Sequence, residues 1–223
     1  MVKINGKWFA GYIRAMIIPD FDGFRQVVTK RLLPTFDTFG TEALKHGEES
    51  FRGKAAGLDP LDSDQYEAAA YFADKAMDET LAFADMLVAM YFASVGLYSV
   101  GLFHLFEQHF TDLRLEVLEA HTYSKEIKLK EVVDWLKTDV SIDVTAFTTW
   151  PVIDELRLVA NTIKHAEGGS ATAVRSRRPD LFIHPSKREE GDYSATSLQS
   201  RVRKPLFGED LYLTTDDFSR YSE

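Results

Sequence analysis

From Asp62 to about Ala120 the chain has no proline and only two glycines, Gly96 and Gly101, so nothing there stops a helix. The stretch folds as one very long helix or as two in succession, and either choice commits the chain to a mostly helical architecture. Its centre, Met86 to Phe106, carries no formal charge and is long enough to cross a bilayer. Tyr91, Ser94, Tyr98, Ser99 and His104 interrupt it, acidic residues flank it (Asp78, Glu79, Asp85, Glu107), and no Lys/Arg cluster orients it. The reading that follows is a buried core helix of a soluble bundle, without membrane.

With 223 residues, 45% of them apolar and 27% charged, the chain can bury one sizeable core. Cysteine is absent, which removes disulfides, thiolate metal sites and cysteine nucleophiles and fits a reducing, cytoplasmic setting. The net charge of −9 argues against a surface generally devoted to nucleic acid. Between Arg175 and Lys204, however, Lys and Arg outnumber Asp and Glu two to one, so any polyanion contact is local.

The start of the chain lacks the uninterrupted apolar run of a secretory signal. Asn5-Gly6 between VKI and KWF predicts a small β-hairpin. Phe24, Val27, Val28 and Leu32 recur at roughly helical spacing, with Phe36 and Phe39 beyond, which predicts a helix over 21–46 broken at Pro34. Residues 47–61, with three glycines and a proline, read as a loop, and 125–138 as a short amphipathic helix packing through Ile127, Val132, Trp135 and Leu136. A helix opens at Pro151, with Asp154 and Glu155 near its positive end, and stops at Gly168-Gly169. Leu211–Leu213 reads as extended. A last helix is expected to start at Thr214 or Thr215 with Asp217 as capping partner, the chain stopping just as that helix begins, truncated or frayed. The expected layout is a hairpin extension at 1–20, a helical bundle at 21–182 and an irregular extension at 183–223.

The helix from Pro151 holds the candidate chemistry. Ile153, Leu156, Ala160 and Ile163 form one apolar stripe, while Arg157, Asn161 and His165 follow at i, i+4, i+8 and Lys164 lies seven residues after Arg157. Two cations, an amide and an imidazole beside the core suit phosphate chemistry. Lys and Arg neutralise a phosphoryl oxygen, Asn donates a hydrogen bond to it, and His passes protons near neutral pH. The same residues also make an ordinary polar helix face whose terminal Lys-His pair complements the dipole. Arg175, Arg177 and Arg178 lie close enough in sequence to hold RNA phosphates beside that patch, and Leu181 and Phe182 are expected to dock on the bundle. HExxH, Glu-x-x-His, Walker, dinucleotide and GxSxG patterns are absent, so no metal or cofactor is expected.

The apolar helix running into LFEQHF, the short helix and linker, and then WPVIDELRLVANTIKHAEGG together resemble the HEPN superfamily over roughly residues 65–170. The resemblance implies a helical bundle. Its members are commonly metal-independent endoribonucleases of toxin–antitoxin or antiphage defence systems, working as homodimers with the two His-bearing helices face to face. Asn161 and His165 match the polar and His positions of the family motif. The family's Arg falls where this chain has Ala160, which leaves Arg157 and Lys164 as the nearest substitutes. Two readings stay open: an RNA-cleaving effector using Arg157, Asn161, Lys164 and His165, and a non-catalytic nucleotide-binding, assembly or antitoxin-like module, working with a partner protein, that has lost cleavage.

Overall fold

The computed structural model describes residues 6–59, 62–117, 127–188 and 201–223, and among these every regular element is helical. The predicted hairpin is not formed. Lys7–Phe9 lie inside helix α1 (Gly6–Tyr12), and the other half of the predicted hairpin, with Asn5, falls outside the described residues. The reason is periodic: Phe9, Ile13 and Ile17 recur every four residues and turn toward the core, and Trp8 stacks on Tyr12 one turn on. That burial outweighs a local turn dipeptide.

The helical path continues through a π turn (Ile13–Ile17), α2 (Ile18–Val27), a second π turn (Val28–Leu32) and a 3-10 turn (Leu33–Phe36). Each π turn precedes a proline. A proline ring lacks the N–H for the bond to the carbonyl four residues back and collides with it. For Pro19 and Pro34 those carbonyls belong to Ala15 and Lys30, both inside the widened turns. The break expected at Pro34 is therefore present. Helix α3 then runs Phe39–Lys54, so the expected loop over 47–61 is corrected for Gly47 and Gly53, which are helical.

Helix α4 is a single 55-residue helix, Ser63–Val117. Its C-terminal half supplies much of the core through Val95, Leu102, Phe103, Phe106, Phe110 and Leu113. It is long and apolar enough to cross a membrane by length and composition. Burial is one-sided, because Met86, Met90 and Leu97 stay exposed. Helix α5 (Leu129–Thr138) buries Val132 and Leu136, and α6 (Trp150–His165) lies along α4 with Ile163 over Gly96. Helix α7 (Gly169–Arg177), a 3-10 turn (Pro179–Phe182) and the short α8 (Pro185–Arg188) follow.

The C-terminal segment packs into the same core through Val202, Leu211, Leu213, Phe218 and Tyr221. The last helix, α9 (Thr215–Ser222), opens with the expected capping box, Thr214 and Asp217 bonding reciprocally. Ahead of it a turn at Pro205–Phe207 is seated on α4 by Gly208, whose φ is +74°. A Cβ there would lie 1.8 Å from the Ala89 carbonyl oxygen. Positive φ and the clash act together, so Gly208→Ala is expected to cost on the order of 3 kcal/mol and lower Tm by roughly 6–12 °C. A thermal melt checks this; an unchanged Tm would mean the turn is not held against α4.

Candidate functional site

Helix α6 is held at a fixed roll. Pro151 sits in its first turn, and Leu156, Val159, Ala160 and Ile163 are each under 5% exposed. A helix buried this fully along one side leaves its other side facing outward. Arg157 and Asn161 are half-buried there, and Lys164 and His165 are exposed. The side chains of Lys164 and His165 make no hydrogen bond or ion pair with any described residue. The helix stops at His165, three residues before the glycine pair expected to end it. The reversal is made by Ala166, with φ +58°, whose N–H bonds to the Thr162 carbonyl. A non-glycine residue in that region stores about 1–3 kcal/mol of strain, and here the strain sits directly after the candidate histidine. Gly168 and Gly169 instead lead into α7.

Arg157 points the other way. Its Nε and Nη2 both donate to Asp154 Oδ1, at 3.0 and 2.7 Å, which pulls the guanidinium one turn toward the N-terminus. Arg177, arriving from α7, donates from Nη1 to the second oxygen of Asp154 at 2.8 Å. Partial burial opposes ionisation of Asp154, but the two arginine hydrogen bonds outweigh it and hold its pKa below the usual carboxylate value. Along the axis Arg157 and His165 are about 12 Å apart at 1.5 Å per residue. Within one chain the candidate residues therefore divide into two groups, Arg157 with Arg177 across Asp154, and Asn161 with Lys164 and His165. Arg157 and Arg177 share one carboxylate and Lys164 adds a further cation, so the strip keeps a positive balance inside an acidic protein.

The other two arginines have different surroundings. Arg175 makes a paired contact with Glu167, at 3.2 and 2.9 Å, and lies 4.7 Å over the Phe182 ring. Glu167 also accepts the Val202 N–H, so this pair fastens the C-terminal segment. Arg178 is enclosed by Asp180, Asp217 and Glu155. Hydrogen bonding to Asp180, then to Asp217, raises its pKa further above the ordinary guanidinium value despite burial.

The residue that sequence reading missed is Glu155. It is 7% exposed and receives both Nη groups of Arg220, at 2.6 and 3.0 Å, the Tyr221 hydroxyl at 2.7 Å and Arg178 at 3.0 Å. Burial pushes its pKa up, but the bonds from Arg220 and Tyr221 more than reverse this and hold it low. A carboxylate in the second turn of a helix reads as a dipole partner, and the long-range cations that claim it leave no local sequence signal. Among the described residues no group of three His, Asp or Glu is placed to hold a metal ion.

No protein-family model, no curated protein and no solved structure matches this chain.

Asp154 and Glu155 are adjacent, yet their replacement has unequal consequences. Asp154→Asn breaks partly exposed pairs and is expected to cost about 1 kcal/mol or less. Glu155→Gln leaves Arg178 and Arg220 facing a neutral group and is expected to cost about 3 kcal/mol, a Tm drop of roughly 6–12 °C. The folded pKa of Glu155 is depressed, so its contribution is present above the unfolded value of about 4.3 and lost as pH falls below it. Protection of the α9 amides relative to their unfolded exchange rates is therefore expected to fall below about pH 4 in the wild type and already at neutral pH in Glu155→Gln. Equal melting temperatures for the two variants would refute the assignment of Glu155 as the buried hub.

Proposed function

We propose that the chain is a HEPN-like, metal-independent endoribonuclease of a defence or toxin–antitoxin system, acting as a homodimer through the outward face of α6. The observation that carries this reading is the pair Lys164 and His165. Both are solvent-facing and have no side-chain partner among the described residues, beside Asn161, at the end of a helix whose opposite side is sealed in the core. A Lys-His pair at a helix end also complements the dipole, but the amide of Asn161 beside it adds a hydrogen-bonding group that no described side chain engages.

In this reading the RNA 2′-hydroxyl attacks its own phosphate. The O2′–P bond forms as the P–O5′ bond breaks, leaving a 2′,3′-cyclic phosphate and a 5′-hydroxyl. His165 moves the proton between the two oxygens, Lys164 offsets charge on the phosphoryl oxygens, and Asn161 donates a hydrogen bond. The axial gap between Arg157 and His165 also gives the dimer a purpose. Antiparallel pairing of two α6 faces sets the partner subunit's Arg157 beside His165 and closes the gap that one chain leaves open.

The second reading, a non-catalytic nucleotide-binding or assembly module, is favoured by position 160. Ala160 is wholly buried, so an arginine there would have to lie in the core, and the arginine that is on the outer face is already engaged by Asp154. Cleavage of labelled mixed-sequence RNA in EDTA separates the two readings. The nuclease is expected to leave 2′,3′-cyclic phosphate ends and to lose about a hundredfold or more of its rate in His165→Ala and in Lys164→Ala. Wild-type protein no more active than His165→Ala would end the catalytic reading. RNA binding retained in that case would establish the second.

A further inference from the structure

Helix α4 is longer than the body it supports. Its 55 residues extend about 80 Å at 1.5 Å per residue. A compact chain of this length has a radius of gyration of about 17 Å. Toward its N-terminus α4 is covered principally by α3, and the two form a hairpin arm. The seam of the arm is well defined. Gly47 sits directly against Thr80, His46 stacks on Phe83 at 4.5 Å, and Ser50 and Lys54 both bond Glu79.

On the other side of that seam from the His46–Phe83 stack, the arm is apolar and uncovered. Tyr66, Met77, Leu81 and Val88 fall within about 60° of one another on the helical wheel, and Met77 and Leu81 are 59% and 57% exposed. Leu44 and Phe51 of α3 point to the same side and are exposed as well. The stripe descends into a cleft of about 510 Å³ with Phe36, Phe39 and Val88 on its apolar wall and Thr29, Asp37 and Thr215 on its polar one. Along its other edge run Glu67, Asp74, Asp78 and Asp85, all exposed. From Tyr66 to Val88 the one cation is Lys75, itself 3.6 Å from Asp78.

We propose that this face docks an amphipathic helix of a partner protein, its apolar residues along the Tyr66–Val88 stripe and its Lys and Arg side chains along the acidic edge. The hairpin has two of the three walls of a helix-in-groove site, and the cleft at its base accepts a terminal apolar or aromatic side chain. Charge selects the occupant. A second copy of the chain would bring the same acidic row against itself, and an anionic membrane surface would be repelled by it, whereas a basic helix is attracted and set in register. The site lies on a different part of the chain from α6 and does not depend on the nuclease reading.

The test uses the full chain and a fluorescein-labelled synthetic helix with leucine at heptad positions a and d and lysine at e and g, beside an otherwise identical peptide with glutamate at e and g. Anisotropy is expected to show binding of the lysine peptide alone. That binding should fall about tenfold or more in Leu81→Glu and in the double variant Asp74→Lys/Asp78→Lys, and should weaken in high salt. Circular dichroism confirms that each variant keeps its helical content, and His165→Ala should bind like the wild type. Failure of the lysine peptide to bind, equal binding of the glutamate peptide, or indifference to both variants overturns the proposal. So does self-association in sedimentation, or adsorption to anionic vesicles, that Leu81→Glu abolishes.

Discussion

A carboxylate removed from water must be met by positive charge and hydrogen bonds, and Glu155 imposes that requirement on the whole C-terminal half of the chain. Its three partners come from two places: Arg178 just beyond α7, and Arg220 and Tyr221 from the last helix. Arg178 is shared in turn with Asp180 and Asp217, and Asp217 caps the helix that carries Arg220. One buried charge on α6 thus fixes where α7 ends, how the 3-10 turn at Pro179–Phe182 lies and where α9 docks. Leu181, Phe218 and Tyr221 then complete the packing, but apolar surfaces alone would tolerate sliding, and the charge network does not.

The same constraint shapes the candidate site. Because Glu155 faces inward, Asp154 must face toward the rim, where it takes Arg157 and Arg177 together. Arg157 is consequently turned away from His165 although both belong to one helix face. The outward side of α6 carries two separated clusters rather than one, so in the proposed chemistry a single copy holds only part of the phosphate site. A twofold partner would resolve that geometry without moving any residue inward, which is why the dimer belongs to the proposed chemistry and not only to the family resemblance.

Features governed by local periodicity were legible in the sequence. The stripe of Leu156, Ala160 and Ile163, the break at Pro34, the opening of α6 at Pro151 and the Thr214–Asp217 cap all depend on residues within a few positions of each other. Features governed by distant partners were not. Asn5-Gly6 reads as a turn until Phe9 and Ile17 have a core to enter. Gly47 reads as a loop residue until Thr80 is found pressed against it. Helix α6 ends at Ala166, where a glycine would be expected, because positive φ is required there whatever the side chain. For the candidate site, the wheel alone brought Arg157, Asn161, Lys164 and His165 to one face. The division of that face by Asp154, and the use of Arg175 and Arg178 to fasten the C-terminal segment, needed coordinates.

Helix α4 shows how the body and the arm differ in what stabilises them. Around Val95 to Leu113 the helix is surrounded on its inner side by α6, α9 and the N-terminal helices, and large apolar residues there each bury enough area to contribute about 1.5–3 kcal/mol. Toward its N-terminus α4 is covered principally by α3, through Gly47, Thr80 and the Glu79 bonds, while Met77, Leu81 and Val88 stay partly exposed. A helix needs no such side chains to remain helical, since alanine serves better. Leucine, methionine and tyrosine at exposed positions, ranged along one stripe and bordered by acid, cost solubility and return no stability to the isolated chain. Their placement makes physical sense when something basic and helical covers them.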